Sequence, residues 1–275
     1  MGRMNAIGFP RATGEVARQT VLLLMQNRLL WVVGTAQLAL PALSYLLGGA
    51  IGDRHAGRHD YAVTTWTLFV FVLVPWTTLY CGVQAVHADI EDRTFQYLFL
   101  RPVSRAALLL GKLIAVAALS TVLFCFGAVA WFLGFAARST LWPEGVEFEL
   151  VAIYAQAIAM AATAYAAIAV LFAARLRRPL VWGACFIVGL QVFVGNLPAK
   201  ASIRYLTITD PVRRFLLDRL NPDRQLAQDL WHWEHEFKPD LIGQPVLNLA
   251  ILTAVATALA LWFYTRAEYD SRERE

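Results

Sequence analysis

The chain has 275 residues, of which 58% are hydrophobic and only 16% charged, and its formal net charge is +4. That balance excludes an ordinary soluble domain, and so modest a positive charge gives little ground for a nucleic-acid partner. In a membrane protein, positive residues mark cytosolic loops instead.

Arg3, Arg11, Arg18 and Arg28 precede the first long apolar stretch. That stretch starts late and is long for a signal-peptide core, so it is expected to be a retained anchor. Ahead of it, Thr13–Arg28 predicts an amphipathic helix. Val16, Thr20, Leu23 and Leu24 share one face, and Glu15, Arg18 and Gln26 lie elsewhere. Such a helix would lie along the cytosolic interface or simply extend the first span.

Six apolar stretches follow: Leu29–Gly49, Tyr61–Val86, Leu113–Ala137, Leu150–Ala174, Pro179–Ala199 and Leu241–Thr265. Each supplies the ~20 residues that a helix needs to cross a bilayer. None contains Asp, Glu, Lys, Arg or His. Proton pumps, ion-coupled carriers and voltage sensors keep such residues at membrane depth, so energy for any transport is expected to enter from outside the membrane. Intramembrane metalloprotease and diaspartyl chemistry likewise lacks its residues. Cys81, Cys125 and Cys185 fall in three different stretches and read as small buried hydrophobes rather than as a disulfide or metal site.

The connections alternate in charge. Arg93, Arg101 and Arg105 lie between spans two and three, Arg175, Arg177 and Arg178 between four and five, and Arg266, Arg272 and Arg274 follow span six. The short connections on the other side hold Arg54, Arg58 and Arg138. The asymmetry predicts a multi-pass protein of the inner (plasma) membrane with both termini cytosolic. The expected fold is all-α: one membrane domain over residues 1–275 with six transmembrane helices.

Residues 87–112 are patterned beyond what a connector needs. Asp89, Glu91 and Asp92 come first; a short helical run follows, with Phe95, Leu98 and Phe99 on one side. Arg101-Pro102 breaks it. Ser104 is placed to cap the next helix, which opens at Arg105 and enters span three through Gly111-Lys112. A short helix with exposed aromatics between charges suits docking on a cytosolic partner.

Beyond span five, Lys200–Asp240 is the longest exterior connection. Asp210-Pro211 predicts a helix start, with Val212, Phe215, Leu216 and Leu220 on one face. Asn221-Pro222 stops it and opens a second helix with Leu226, Leu230 and Trp233 in phase. Both are expected as amphipathic helices at the outer face.

Some chemical constellations are incomplete. Gly111-Lys112 lacks the Gly and Ser/Thr of a phosphate-binding loop, since Ala106 and Leu113 stand at those positions. His232 and His235 with neighbouring carboxylates, His87 with Glu91, and His55 with His59 have ligand spacing, but solvated faces are the plainer reading, and no metal site is expected. Gln37, Gln84, Gln156, Thr163, Gln191, Asn196 and Asn248 are polar within spans and either bond helix to helix or line a path. Gln84, Gln156, Gln191 and Asn248 are the candidate pathway residues.

The sequence Glu91, Thr94, Leu98, Leu100, Pro102, Arg105, Leu110, Gly111, Lys112 resembles the loop between spans two and three of ABC-2 type permeases, the membrane subunits of one class of ATP-binding-cassette exporters. Arg93 stands where the family often has Gly. The resemblance extends to six spans, an interfacial first helix and short helices between spans five and six. It implies an ATP-driven exporter whose coupling helix docks on a separate cytosolic ABC ATPase. Glu91, Asp92, Thr94, Phe95, Leu98, Pro102 and Arg105 would make that contact. The chain itself is then no enzyme and holds no cofactor, ATP and Mg being bound by the ATPase. A second permease copy or a homologous permease would complete the path within membrane lipid. The alternative function is mechanotransmission to an outer-face partner.

Overall fold

The computed structural model describes residues 9–50, 61–91, 104–137, 148–193, 207–220 and 243–266. These are helical apart from short turns, with no strand among the described residues. In chain order the helices are α1 (Phe9–Met25), α2 (Arg28–Ala50), α3 (61–91), α4 (Arg105–Ala137), α5 (Phe148–Arg175), α6 (179–193), α7 (Thr209–Leu220) and α8 (Gly243–Arg266). An all-helical architecture follows from the solvent: in hydrocarbon every backbone N–H and C=O must be paired within its own segment.

Four helices are long and apolar enough to cross a membrane: Tyr61–His87, Arg105–Gly134, Phe148–Arg175 and Pro245–Arg266. A fifth candidate is the pair α1 and α2, which is bent by 72°. The described part of α6 is a shorter apolar helix; residues 194–199 of the predicted fifth span lie outside the described residues. Of the six expected spans, four are met by helices of spanning length, the bent pair offers a fifth, and the described part of α6 falls short of that length.

The bend has a local cause. α1 closes with Gln26 N donating to Leu23 O and Asn27 N to Leu24 O, at 3.2 and 3.0 Å. Asn27 Oδ1 then accepts from Leu29 N at 3.0 Å and caps α2. The buried stripe of α1 is Ala12, Thr13, Thr20 and Leu24, facing α4. Leu23, expected on that stripe, is 63% exposed because the face is centred about one position away from the predicted one.

α5 forms the centre. Its alanine-rich sequence lets α3, α4, α7 and α8 approach closely, and most of its residues are buried. The approach is tightest at Gly82 of α3, where a Cβ would lie 2.5 Å from Ala169 Cβ of α5. By contrast α2 shows most of its described side chains.

α7 departs from expectation. It starts at Thr209, and its predicted N-cap Asp210 is already inside it. Thr207 takes the capping place, its Oγ1 accepting from Asp210 N at 3.3 Å. Rather than exposing a polar face, α7 is buried on nearly all sides against α5 and α8, Asp210 and Arg213 included. The predicted second exterior helix lies outside the described residues.

Candidate functional site

α3 ends at Glu91 and α4 begins at Arg105. Of the residues between them, Asp92, Thr94, Phe95, Leu98 and Pro102 lie outside the described residues. What the structure gives is the frame around that connection. Ser104 caps α4 as the sequence predicts, its Oγ accepting from Ala107 N at 3.2 Å. Arg105 is exposed, and its Nη1 donates to the Thr265 carbonyl in the last turn of α8 at 3.1 Å. That carbonyl belongs to the negative end of the helix dipole, where a cation is favoured. Arg175, ending α5, lies 5.5 Å over the Phe263 ring, and Arg266 lies 4.9 Å over Trp262. One end of the bundle is therefore basic, with the ends of α4, α5 and α8 held together by arginines.

The same end explains Gly111. A Cβ there would sit 2.8 Å from the Thr13 carbonyl oxygen and 2.8 Å from Val16 Cβ. Only glycine lets α1 lie so close across α4. Asn27 Nδ2 also donates to Tyr80 Oη of α3 at 3.1 Å. Both helices that flank residues 92–103 are thus fastened to α1 and its elbow. An asparagine just ahead of an apolar run is a recognisable cap signal, so the role of Asn27 at α2 is visible in sequence, while its bond to Tyr80 is not.

At the opposite end two π-helical stretches, Thr65–Leu73 of α3 and Phe186–Phe193 of α6, both reach α7. Gln191 Oε1 accepts from Ile208 N at 2.9 Å, from Thr209 N at 3.2 Å and from Thr209 Oγ1 at 3.3 Å. Arg213 stands 5.3 Å over the Trp66 ring, and Arg214 Nε donates to Asp210 Oδ2 at 2.9 Å. Asp210 is 2% exposed and Arg213 7%, so ionised groups are buried after all, on α7, as is Lys112 at the entry to predicted span three. Each is held by a partner, which is what makes buried charge tolerable.

The candidate pathway residues do not converge. Gln191 is committed to the start of α7. Gln156 is exposed on α5, and Gln84 and Asn248 are half-buried on α3 and α8. No hydrogen bond joins any two of the four among the described residues. Thr163 donates to its own helix, to Ala159 O at 3.0 Å. No group of three or more metal-ligating side chains occurs among the described residues; His55, His59, His232, His235 and Asn196 lie outside them.

Two comparisons with known proteins bear on this arrangement. A protein-family model described as ABC-2 family transporter protein matches residues 12–269, from the first turn of α1 to just past α8. No curated protein matches the chain. With nearly its whole length matched, and with helices of membrane-spanning length and apolarity, the chain belongs to the ABC-2 transporter family of multi-pass membrane proteins.

Proposed function

We propose that the chain is the transmembrane permease subunit of an ATP-driven exporter, with six spans and the basic end of the bundle in the cytosol. A separate ABC ATPase binds ATP and Mg and docks on the segment between α3 and α4. Glu91, Asp92, Thr94, Phe95, Leu98 and Pro102 form the docking surface, and Arg105 secures its base to α8. Two permeases, either copies of this chain or homologous subunits, enclose the path, each with one ATPase.

The observation that carries this reading is the family match over residues 12–269. The frame at the basic end supports it: a push on residues 92–103 acts on α3 and α4 together, and through them on α1, as rigid-body gating requires. Of the two exterior helices that would present an output surface for mechanotransmission, α7 is packed between α5 and α8, which favours export.

The test is a detergent pull-down of the tagged chain, read by mass spectrometry and ATP hydrolysis, comparing wild type with Phe95→Asp and Arg105→Glu separately. Wild type should bring down an ABC ATPase, and Phe95→Asp should reduce it at least tenfold. Arg105→Glu should also reduce it, by placing an anion beside the carbonyl end of α8. No ATPase with wild type, even after crosslinking in membranes, would contradict the proposal.

A further inference from the structure

Gln37 lies about 14 Å along the α2 axis from Arg28 at ~1.5 Å per residue, near the middle of a ~30 Å hydrocarbon layer. Among the described side chains of α2, only Leu30 and Gln37 are buried. Gln37 is 2% exposed, and neither its Nε2 nor its Oε1 has a hydrogen-bond partner among the described residues. Three helices meet at it. A Cβ on Gly127 of α4 would sit 2.8 Å from Gln37 Cδ and Oε1, and 2.7 Å from Phe69 Cε1 of α3. The missing side chain at 127 admits the amide, and Phe69 shares the same contact.

An amide has two donor hydrogens and two acceptor lone pairs. Sealing all of them in hydrocarbon is unfavourable, and leucine would suit this packing better. A polar group kept where no described residue bonds it in this conformation serves another. The neighbouring backbone has the means to change: Phe69 belongs to the π-helical stretch Thr65–Leu73, and π-helical turns occur frequently at functional sites.

We infer that Gln37 is a hydrogen-bonding contact for transported cargo, uncovered when the π-helical stretch of α3 rewinds and carries Phe69 away. The cargo it fits is a neutral amphiphile bearing an amide or hydroxyl group. The side-chain amide offers both donor and acceptor. The apolar stretches of α2, α3 and α4 hold no Asp, Glu, Lys, Arg or His to balance a charged cargo. Phe69 and, one turn of α2 away beside Gly34, Leu123 give the surroundings an apolar character. This inference rests on the export reading above.

The test uses the permease reconstituted in liposomes with its ATPase, in a background where Cys81, Cys125 and Cys185 are replaced by alanine. Gln37→Cys, or the exposed control Leu38→Cys, is added. A small maleimide is applied at rest and after trapping with ATP and vanadate. Position 37 should react at least tenfold faster in the trapped state, while position 38 stays unchanged. Slow labelling in both states, or equally fast labelling in both, overturns the inference. As a second readout, NBD-ceramide, a neutral amphiphile carrying amide and hydroxyl groups, should stimulate ATP hydrolysis by wild type; Gln37→Leu should melt at the same temperature as wild type or higher and should lose that stimulation. Stimulation kept in Gln37→Leu, or absent in wild type, also overturns the inference. A lower melting temperature would make Gln37 a structural group and also overturn the inference. A complex that hydrolyses no ATP before any label is added defeats the export reading itself, and is seen separately.

Discussion

Glycines in this chain have opposite meanings depending on what faces them. At Gly111 the α1 backbone occupies the space a Cβ would need, so Gly111→Val must push α1 off α4. Overpacking of that kind costs about 1–3 kcal/mol. The variant should melt lower in detergent than wild type, with α1 more open to proteolysis. Gly14, on the exposed side of α1, has nothing within 4 Å of its would-be Cβ. Gly14→Ala should therefore stabilise the protein by about 1 kcal/mol through helix propensity alone. A melt that moves the same way for both would refute this account of α1. The sequence made the Gly111-Lys112 pair conspicuous, and Ser104 as a cap was legible from local chemistry. The reason for glycine at 111 was not, because it is a contact between segments about a hundred residues apart in the chain. Gln37 shows the same limit: its position in an apolar run was plain, but its burial against Gly127 and Phe69 is tertiary.

Among the elements, the elbow between α1 and α2 and the start of α7 are each held by one amide side chain. Asn27→Ala removes a cap and the bond to Tyr80, and should cost about 1–2 kcal/mol. Tyr80→Phe removes only the second bond, so a double-mutant cycle by thermal melting should show the two residues coupled. Strict additivity would contradict that. Gln191→Leu leaves the Ile208 and Thr209 amides without their acceptor, at a cost of about 1–3 kcal/mol. Loosening should concentrate at α7, measurable as faster hydrogen exchange over Thr209–Leu220. Exchange that rises equally across α5 would argue against a local capping role. Periodicity correctly announced both helices, since apolar spacing is local information. It misplaced the buried face of α1 and made α7 amphipathic, because a helix enclosed by α5 and α8 can bury Asp210 and Arg213 as well, provided Arg214 and Trp66 meet them.

Across the whole molecule the two ends differ in chemistry. At the basic end Arg105 and Arg175 bind the last turns of α8, and at the other end Tyr61 Oη donates to Ala128 O, Tyr154 Oη to Ala62 O, and Trp131 Nε1 to Thr64 Oγ1. The spans between are apolar and, on α2, α4 and α8, widely exposed. Hydropathy made that division legible from sequence, because the bilayer imposes it residue by residue. The order in which helices pack, with α5 at the centre, was not legible, since alanine-rich packing leaves little periodic signature.

Whether residues 92–103 hand an ATPase's motion to this frame is decided by a photo-crosslinker placed at Phe95 in intact membranes, with the adduct identified by mass spectrometry. A crosslink to an ABC ATPase is expected there and from the same crosslinker at Phe99, but not from one at Leu38. Adducts only to lipid, or to a protein without nucleotide-binding motifs, would contradict that role.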